Sequence, residues 1–195
     1  MAKGKIRATC SGLREDGKGI VRIGGRETAV SGLLPGESAS FEEERSGSRV
    51  ITRLVRIEEA SKDRVQAPCP VFDRCGGCQL QHLSYEGQLG FKQKALESLF
   101  AGFGRVNPIL GMAEPWSYRN KVHSTLSLDK AGRIISGIYE ENSHKVIPTP
   151  RCLIQDAKAD EIIATLLELL KAFKLEPFEE DRGRGFLRHI LVKRG

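Results

Sequence analysis

Three of the five cysteines of this chain lie within ten residues, in the stretch CPVFDRCGGCQLQH (69–82). Cys69, Cys75 and Cys78 follow the spacing C-x5-C-G-G-C, in which a tight turn brings the thiols together. Glycines between the last two cysteines remove side-chain bulk and leave backbone N–H groups able to point at sulfur. The spacing predicts a metal site, and it constrains the fold because the chain must turn back on itself here.

A tetrahedral zinc ion or an iron–sulfur cluster takes four ligands, so one more is needed. Cys10 lies on a predicted strand, where a buried cysteine behaves as a small hydrophobic residue. Cys152 lies in the loop IPTPRCLIQD before a predicted helix, where a side chain can be aimed at a site. We therefore predict Cys152 as the fourth ligand and Cys10 as a core residue.

Two other interpretations of the cysteines stay open at this point. A redox dithiol of the thioredoxin type needs a helix that starts at the first cysteine of the pair, whereas the next predicted helix starts near residue 84. Zinc remains an alternative metal, although its ordinary pattern has two separated C-x2-C pairs and this chain has one. In a reducing compartment such a cluster indicates metal binding or redox chemistry, not a disulfide framework.

Residues 1–60 contain five short β-prone runs separated by turn signals such as DGKG (16–19) and LPGE (34–37). This pattern predicts a small β-barrel of the OB type. The polar segment 58–68 ends in proline and is predicted to be a linker. The expected fold class is α+β, with a barrel over 1–60 and a mixed α/β domain that carries the four-cysteine site over 65–195.

The second part of the chain predicts two helices and three strands. One helix is predicted over 84–103 with Ser84 as its N-cap, and the other over 156–177 with Asp156 as its N-cap. The runs HSTLSL and RIISGIY, joined through DKAG (129–132), predict a β-hairpin. The final run GFLRHILVKRG predicts a strand that must pair with another strand.

Charge and hydropathy narrow the possible partners. The net charge of +6 and the pI near 9.2 indicate a polyanionic partner only weakly. The longest apolar stretch, 162–173, is interrupted by charges and is too short to span a bilayer. The N-terminus has basic residues but no apolar segment of the secretory type. We therefore expect a cytoplasmic, monomeric protein without a membrane partner.

Several stretches, in order along nearly the whole chain, resemble the RNA (uracil-5-)-methyltransferases, bacterial enzymes that make 5-methyluridine in ribosomal and transfer RNA. GKGIVRIGGRETAVSGLLPGESASF (17–41) is similar to the RNA-binding TRAM domain of that family, an OB-like barrel. CPVFDRCGGCQLQHLSYEGQLGFKQKAL (69–96) is similar to its iron–sulfur motif with the helix that follows. PWSYRNKVH (115–123), RCLIQD (151–156) and LRHILVKRG (187–195) are similar to its central domain.

The resemblance implies a [4Fe–4S] cluster, with zinc as the alternative metal. The expected role of the cluster is structural, because it would join the loop at 69–78 to the loop at 152. A redox or oxygen sensor is the alternative role. The residues that correspond to the four cluster ligands are Cys69, Cys75, Cys78 and Cys152.

RNA contacts are expected in both parts of the chain. Basic residues on the barrel strands can follow a phosphate backbone. PWSYRNKVH offers donors to phosphates and base edges beside Trp116 and Tyr118, with burial of these two aromatic side chains in the core as the alternative. The predicted RNA-binding residues are Lys18, Arg22, Arg53, Arg119, Asn120, Lys121 and Arg188.

The chain departs from the family in one large respect. Family members continue into a Rossmann-like domain that binds S-adenosylmethionine and supplies the catalytic cysteine and carboxylate, and we expect that domain to be absent here. The only late glycine-rich segment, RGRGF (182–186), lacks a preceding strand and a following helix. We therefore expect the RNA-binding and iron–sulfur portion of such a methyltransferase, incomplete at its C-terminus, with no catalytic residue and no methyl transfer on its own. The alternative is a free-standing RNA-binding protein or redox sensor.

Overall fold

The computed structural model describes residues 5–46, 49–179 and 182–195, whose strands and helices divide into two compact units. The first unit comprises Met1–Pro68 with Gln79–Gly111, and the second comprises Cys69–Cys78 with Met112–Gly195. The segment that carries three of the predicted metal ligands therefore belongs to the same unit as Cys152. The predicted domain limits, 1–60 and 65–195, remain a prediction.

The first unit has an antiparallel β portion followed by one helix. Its strands pair as two three-stranded sheets, in the orders β1-β5-β6 and β2-β3-β4 along the elements given below. Val21, Leu33 and Phe41 are completely buried in one core that both sheets share. The elements are β1 (Ile6–Thr9), β2 (Gly12–Leu13), β3 (Gly19–Ile23), β4 (Arg26–Val30), β5 (Ser38–Ser46), β6 (Arg49–Glu59) and α1 (Tyr85–Leu99).

The predicted strands of the first unit are present, but the OB-like barrel predicted from them is not closed. A closed barrel requires hydrogen-bonded ladders between neighbouring strands all the way around. Among the residues described, no ladder joins the two sheets: β1 and β6 lie at the edges of one sheet, and β2 and β4 lie at the edges of the other. The sheets share core side chains instead of a hydrogen-bonded seam, because their strands pair only within each sheet.

Cys10 is a core residue, as predicted. It is 2% exposed, and its thiol lies 3.2 Å from the carbonyl oxygen of Gly12. Burial raises the pKa of this thiol, so Cys10 stays protonated and packs as a small apolar side chain.

A buried carboxylate fastens the loop after β4 to the segment after β6. Glu37 is completely buried and accepts hydrogen bonds from the backbone N–H groups of Leu34 and Ser61. The guanidinium of Arg64 donates to both of its oxygens, with Nη2 2.7 Å from Oε2, and also to the carbonyl of Gly32. Burial alone would raise the pKa of Glu37, but these hydrogen bonds hold it below its ordinary value.

Helix α1 begins where it was predicted, and the apolar residues toward its C-terminal end are exposed. The hydroxyl of Ser84 accepts a hydrogen bond from the N–H of Gly87 at 3.1 Å, which confirms the cap. The helix ends at Leu99, earlier than predicted, and none of its residues is buried. Leu99 is 69% exposed and Phe103, beyond the helix, is 87% exposed. Helical periodicity identifies an apolar stripe without showing whether another element packs on it.

The second unit has a four-stranded antiparallel sheet in the order β10-β7-β8-β9, with one helix. The predicted hairpin is confirmed as β7 and β8, and the final strand pairs with β7. None of the helices in the described part of the chain is long and apolar enough to cross a membrane. The elements are β7 (Lys121–Leu128), β8 (Ile134–Tyr139), β9 (Val146–Pro148), α2 (Ala157–Ala172) and β10 (His189–Lys193).

Helix α2 packs on one face of this sheet. The carboxylate of Asp156 accepts hydrogen bonds from the N–H groups of Lys158 and Ala159, as predicted for the N-cap, and the helix ends at Ala172, earlier than predicted. Alternate side chains of β7 and β10 point toward α2, and the others point to the opposite face. The residues packed with α2 are Val122, Leu126, Ile190 and Val192. The opposite face, named the open face below, carries Lys121, His123, Thr125, His189, Leu191 and Lys193.

Candidate metal centre

The loop that carries three predicted ligands is bent by its own backbone and attached to the end of β8. The N–H of Cys75 donates to the carbonyl of Val71 at 2.8 Å, which closes the turn before the glycines. The N–H of Gly76 donates to the carbonyl of Tyr139 at 3.0 Å, and Cys75 forms an isolated antiparallel bridge with Glu140. The loop therefore takes its position from the sheet.

The first glycine of the CGGC segment is required by a close approach of the backbone. A Cβ atom on Gly76 would lie 2.9 Å from the carbonyl oxygen of Tyr139, which is closer than real Cβ contacts. A Cβ atom on Gly77 would lie 3.4 Å from the sulfur of Cys75, an ordinary van der Waals contact. A side chain at position 76 would push the loop away from β8, which explains the glycine there, whereas these contacts do not require glycine at position 77.

Cys152 lies on the loop before α2. Its backbone N–H donates to the carboxylate of Asp160 in the first turn of that helix, at 3.1 Å. Burial raises the pKa of Asp160 above its ordinary value. The loop of Cys152 is thus held by the helix that packs on the sheet.

The same loop runs beside the first residues of a predicted RNA-binding segment. The N–H of Ser117 donates to the carbonyl of Leu153, and the N–H of Arg119 donates to the carbonyl of Ile154, both at 2.9 Å. The backbone of Arg119 also forms a parallel bridge with Gln155. The structure therefore places a predicted metal ligand and a predicted RNA contact on adjoining backbone segments.

The four predicted ligands are neighbours within the second unit. Burial raises the pKa of the Cys75 and Cys152 thiols, and the nearby sulfurs add to this effect: Cys69 and Cys152 act on Cys75, and Cys78 acts on Cys152. Backbone N–H groups act in the opposite direction at both thiols, because they stabilise the thiolate. Neighbouring cysteines with N–H groups directed at sulfur are the donor set that zinc and iron–sulfur clusters use.

The thiols do not surround a common point. As the side chains stand, no group of three or more His, Cys, Asp or Glu residues among those described is arranged to hold a metal ion. The chemistry of the donor set fits a soft metal or an iron–sulfur cluster, while ligand geometry would require the side chains to turn toward one another. The four-cysteine site therefore remains a prediction.

Three of the predicted RNA-binding residues lie in the first unit, beside carboxylates. Arg53 is 3.7 Å from Glu44, and Arg22 lies directly opposite Glu27 in the pairing of β3 with β4. Lys18 lies in the turn just before β3. Arg22 and Arg53 thus face neighbouring negative charge on an exposed surface, which reduces the potential they present to a phosphate backbone.

The other predicted RNA-binding residues lie in the second unit. Asn120 and Lys121 are exposed and Arg119 is partly buried at the start of β7. Arg188 precedes β10, and its guanidinium carbon lies 3.7 Å from the centre of the Phe178 ring, a cation–π contact that orients the side chain.

The two aromatic residues of PWSYRNKVH lie at the surface. Trp116 is 38% exposed and Tyr118 is 52% exposed, so the core alternative does not hold for either. Their exposure leaves both rings accessible for contact with a base.

The chain is similar to known proteins over nearly its whole length. It is 38% identical over 197 residues to an uncharacterized RNA methyltransferase of Halalkalibacterium halodurans, a match that covers 97% of this chain and 43% of that protein. It is 35% identical to another of Listeria innocua, with 96% and 42% covered, and 34% identical to one of Staphylococcus aureus, with 100% and 45% covered. The chain is homologous to proteins named RNA methyltransferases. It spans about two fifths of the length of the curated relatives it matches. No family model matches.

In this homologue of RNA methyltransferases, two exposed histidines that the site prediction left out lie together. The ring centres of His123 on β7 and His189 on β10 are 4.5 Å apart. The alternation of polar and apolar residues in KVHSTL and HILVK predicts that each histidine points away from the core. The register that brings the two strands together was needed to see that the histidines meet.

Proposed function

We propose that this chain is the RNA-binding and metal-holding portion of a S-adenosylmethionine-dependent RNA (uracil-5-)-methyltransferase that acts on ribosomal or transfer RNA. The main support is the C-x5-C-G-G-C loop in one unit with Cys152, in a chain whose relatives are named RNA methyltransferases. Because the chain spans about two fifths of those relatives, methyl transfer and cofactor binding are proposed for the whole protein. Within this proposal the protein acts in the cytoplasm as a monomer.

In this proposal a [4Fe–4S] cluster is held by Cys69, Cys75, Cys78 and Cys152, with zinc as the runner-up. The bound group would supply a crosslink, and the chain's own backbone determines what is linked. One end is the loop attached to β8 through Gly76, and the other is the loop attached to residues 117–119. Holding these two loops together would fix the start of β7 relative to the end of β8.

The RNA-contacting role is proposed for both units. In the first unit, which we interpret as TRAM-like despite its open sheets, Lys18, Arg22 and Arg53 would contact phosphates. In the second unit the corresponding residues are Arg119, Asn120, Lys121 and Arg188. Phosphate contacts of this kind supply affinity and register, while base contacts supply sequence preference.

Metal analysis of two cysteine variants tests the proposed centre. The chain and its Cys152→Ala and Cys10→Ala variants are purified without oxygen, and iron, sulfide and zinc are measured with the visible absorbance. We expect iron and sulfide in the wild type and in Cys10→Ala and their loss in Cys152→Ala, because Cys10 belongs to the core of the other unit. Stoichiometric zinc in a colourless protein would show that the bound metal is zinc and not an iron–sulfur cluster. Loss of metal in Cys10→Ala alone would show that Cys152 is not the fourth ligand.

A further inference from the structure

The open face of the second unit's sheet carries a pair of lysines in direct register. Lys121 on β7 and Lys193 on β10 are opposite each other, and both side chains are exposed. Like charges directly opposite each other on antiparallel strands destabilise a sheet. Neither lysine forms an ion pair with a carboxylate of the described residues. Two such ammonium groups together are suited to a phosphate group.

Farther along the same two strands, the open face carries imidazole rings instead of charged lysine side chains. His123 and His189 lie on it with their ring centres 4.5 Å apart and their planes at 59°. Leu191, directly opposite His123, is 60% exposed and adds apolar area between the rings and the lysines. Exposed rings beside an apolar side chain form a platform on which an unpaired base can stack.

The histidine pair lines a cleft of about 580 Å³. A second ring pair lines the same cleft, since the ring centres of Tyr139 and His144 are 5.8 Å apart. Clefts of a few hundred cubic ångströms are the size that proteins use for small flat ligands such as a base. The cleft also borders Gly76, the glycine by which the cysteine loop attaches to β8.

The charges around the cleft indicate where a bound strand would place its phosphates and where it would place a base. Glu140 and Glu141 line the cleft, and Glu140 pairs with Lys145 at 3.4 Å. Carboxylates repel phosphates, but they accept hydrogen bonds from N–H groups of bases, such as N3–H of uracil. The phosphates therefore belong at the lysine end of the open face, and a base belongs at the end with the histidines.

We infer that the open face binds a single-stranded segment of RNA, with a phosphate at Lys121 and Lys193 and an unpaired base on His123 and His189. The inference rests on the proposed function, because it specifies where and in what form the second unit contacts RNA. A duplex fits poorly, because its bases are stacked on one another and cannot lie on the histidine rings.

Binding of short labelled RNAs to the full chain, purified without oxygen, tests the inference. A twelve-nucleotide oligouridine and a duplex of the same length are used in fluorescence anisotropy at several salt concentrations. For Lys121→Ala/Lys193→Ala we expect weaker oligouridine binding and a salt slope smaller by about 0.7, since the two lysines share one phosphate and each phosphate contact on a single strand contributes about 0.7. Lys158→Ala/Lys171→Ala removes the same charge from α2, on the other side of the sheet, and is expected to bind as the wild type does.

The stacking role is tested separately. For His123→Ala/His189→Ala we expect about 5- to 140-fold weaker binding of oligouridine, because stacking of one base is worth about 1–3 kcal/mol. His123→Phe/His189→Phe keeps two rings and is expected to restore most of the affinity. Far-ultraviolet circular dichroism verifies that each variant is folded.

The outcomes separate this inference from the proposed function. Absence of RNA binding by the wild type would overturn both. Wild-type affinity in the lysine and histidine variants, with a loss in Arg22→Ala/Arg53→Ala, would overturn the open face and keep RNA binding by the first unit. Equal binding of duplex and oligouridine, with no effect of the histidine variants, would overturn the single-stranded base site. Unchanged RNA affinity in all of these variants would also overturn the inference, and it would favour a protein as the partner of the open face.

Discussion

Each of the two units contains a buried polar pair among its described residues, and these two pairs differ in charge. In the first unit the buried carboxylate of Glu37 bonds to the guanidinium of Arg64. In the second unit the buried hydroxyls of Ser124 and Ser136 bond to each other. Loss of one partner leaves an uncompensated charge in the first case and only an unpaired dipole in the second. The first unit should therefore depend more strongly on its polar pair.

The positions of the pairs explain the difference. Glu37 and Arg64 are 27 residues apart and lie outside the ladder that pairs β5 with β6, so their side chains supply the connection. Ser124 and Ser136 lie on β7 and β8, which are already joined by a ladder of backbone hydrogen bonds. A neutral pair is sufficient where the backbone provides the connection.

The largest expected effect is that of Glu37→Gln. The substitution keeps the shape of the side chain and leaves the guanidinium of Arg64 without its counter-charge. We expect the free energy of unfolding to fall by about 3 kcal/mol, the lower end for a broken buried pair, because Arg64 is 23% exposed. Urea unfolding followed by circular dichroism measures this.

The matched control is Glu44→Gln, which removes a carboxylate 3.7 Å from Arg53 on the surface of the same unit. Half of the Glu44 side chain is exposed, so the expected change is below about 1 kcal/mol. Equal losses in the two variants would contradict the special role of the buried pair.

Ser124→Ala should have an intermediate effect. The hydroxyl of Ser136 then stays buried without its partner, and we expect a loss of about 1–3 kcal/mol. In Ser124→Ala/Ser136→Ala no hydroxyl is left unsatisfied, so the double variant should recover much of that loss. Chemical denaturation of the three proteins gives the coupling, and an additive double variant would show that the hydroxyls do not stabilise each other.

The smallest expected effect is on how the free energy of unfolding depends on pH. Of the two buried pairs, only Glu37 with Arg64 can produce it, because the serine hydroxyls do not titrate. The pKa of Glu37 is below its ordinary value of 4.5 in the folded chain, so its stabilisation is complete above that pH and is lost as pH falls through the lowered pKa. Relative to the wild type, Glu37→Gln should therefore lose less stability between neutral pH and the acid range. Thermal unfolding at several pH values measures this, and parallel curves for the two proteins would contradict it.

Local sequence signals predicted the elements well. Ser84 and Asp156 were identified as N-caps because a side-chain oxygen satisfies backbone donors only a few residues away. The hairpin through 129–132 was predicted from the residues of its turn, which are also a local signal. Burial of Cys10 was predicted from its place on an expected strand; β1 ends one residue earlier, at Thr9, and Cys10 is buried all the same.

Long-range features could not be obtained in this way. Pairing of Glu37 with Arg64 and of His123 with His189 depends on loop packing and strand register, which neither segment determines alone. The OB-like barrel was predicted from the number and spacing of strands, but closure depends on whether edge strands meet. For the candidate metal site, the sequence predicted four cysteine ligands, and all four lie in one unit of the structure. The sequence could not predict how their side chains are arranged.

The position of β10 at the edge of the second sheet also bears on the order of folding. β7 is followed by β8 along the chain and pairs with it through a short turn, whereas β10 is separated from β7 by β8, β9 and α2. Contacts between distant segments form late, because a long loop must first be closed. His189, Leu191 and Lys193 should therefore join the open face in one of the last folding steps. A chain that has made everything up to α2 would carry only the β7 half of that surface.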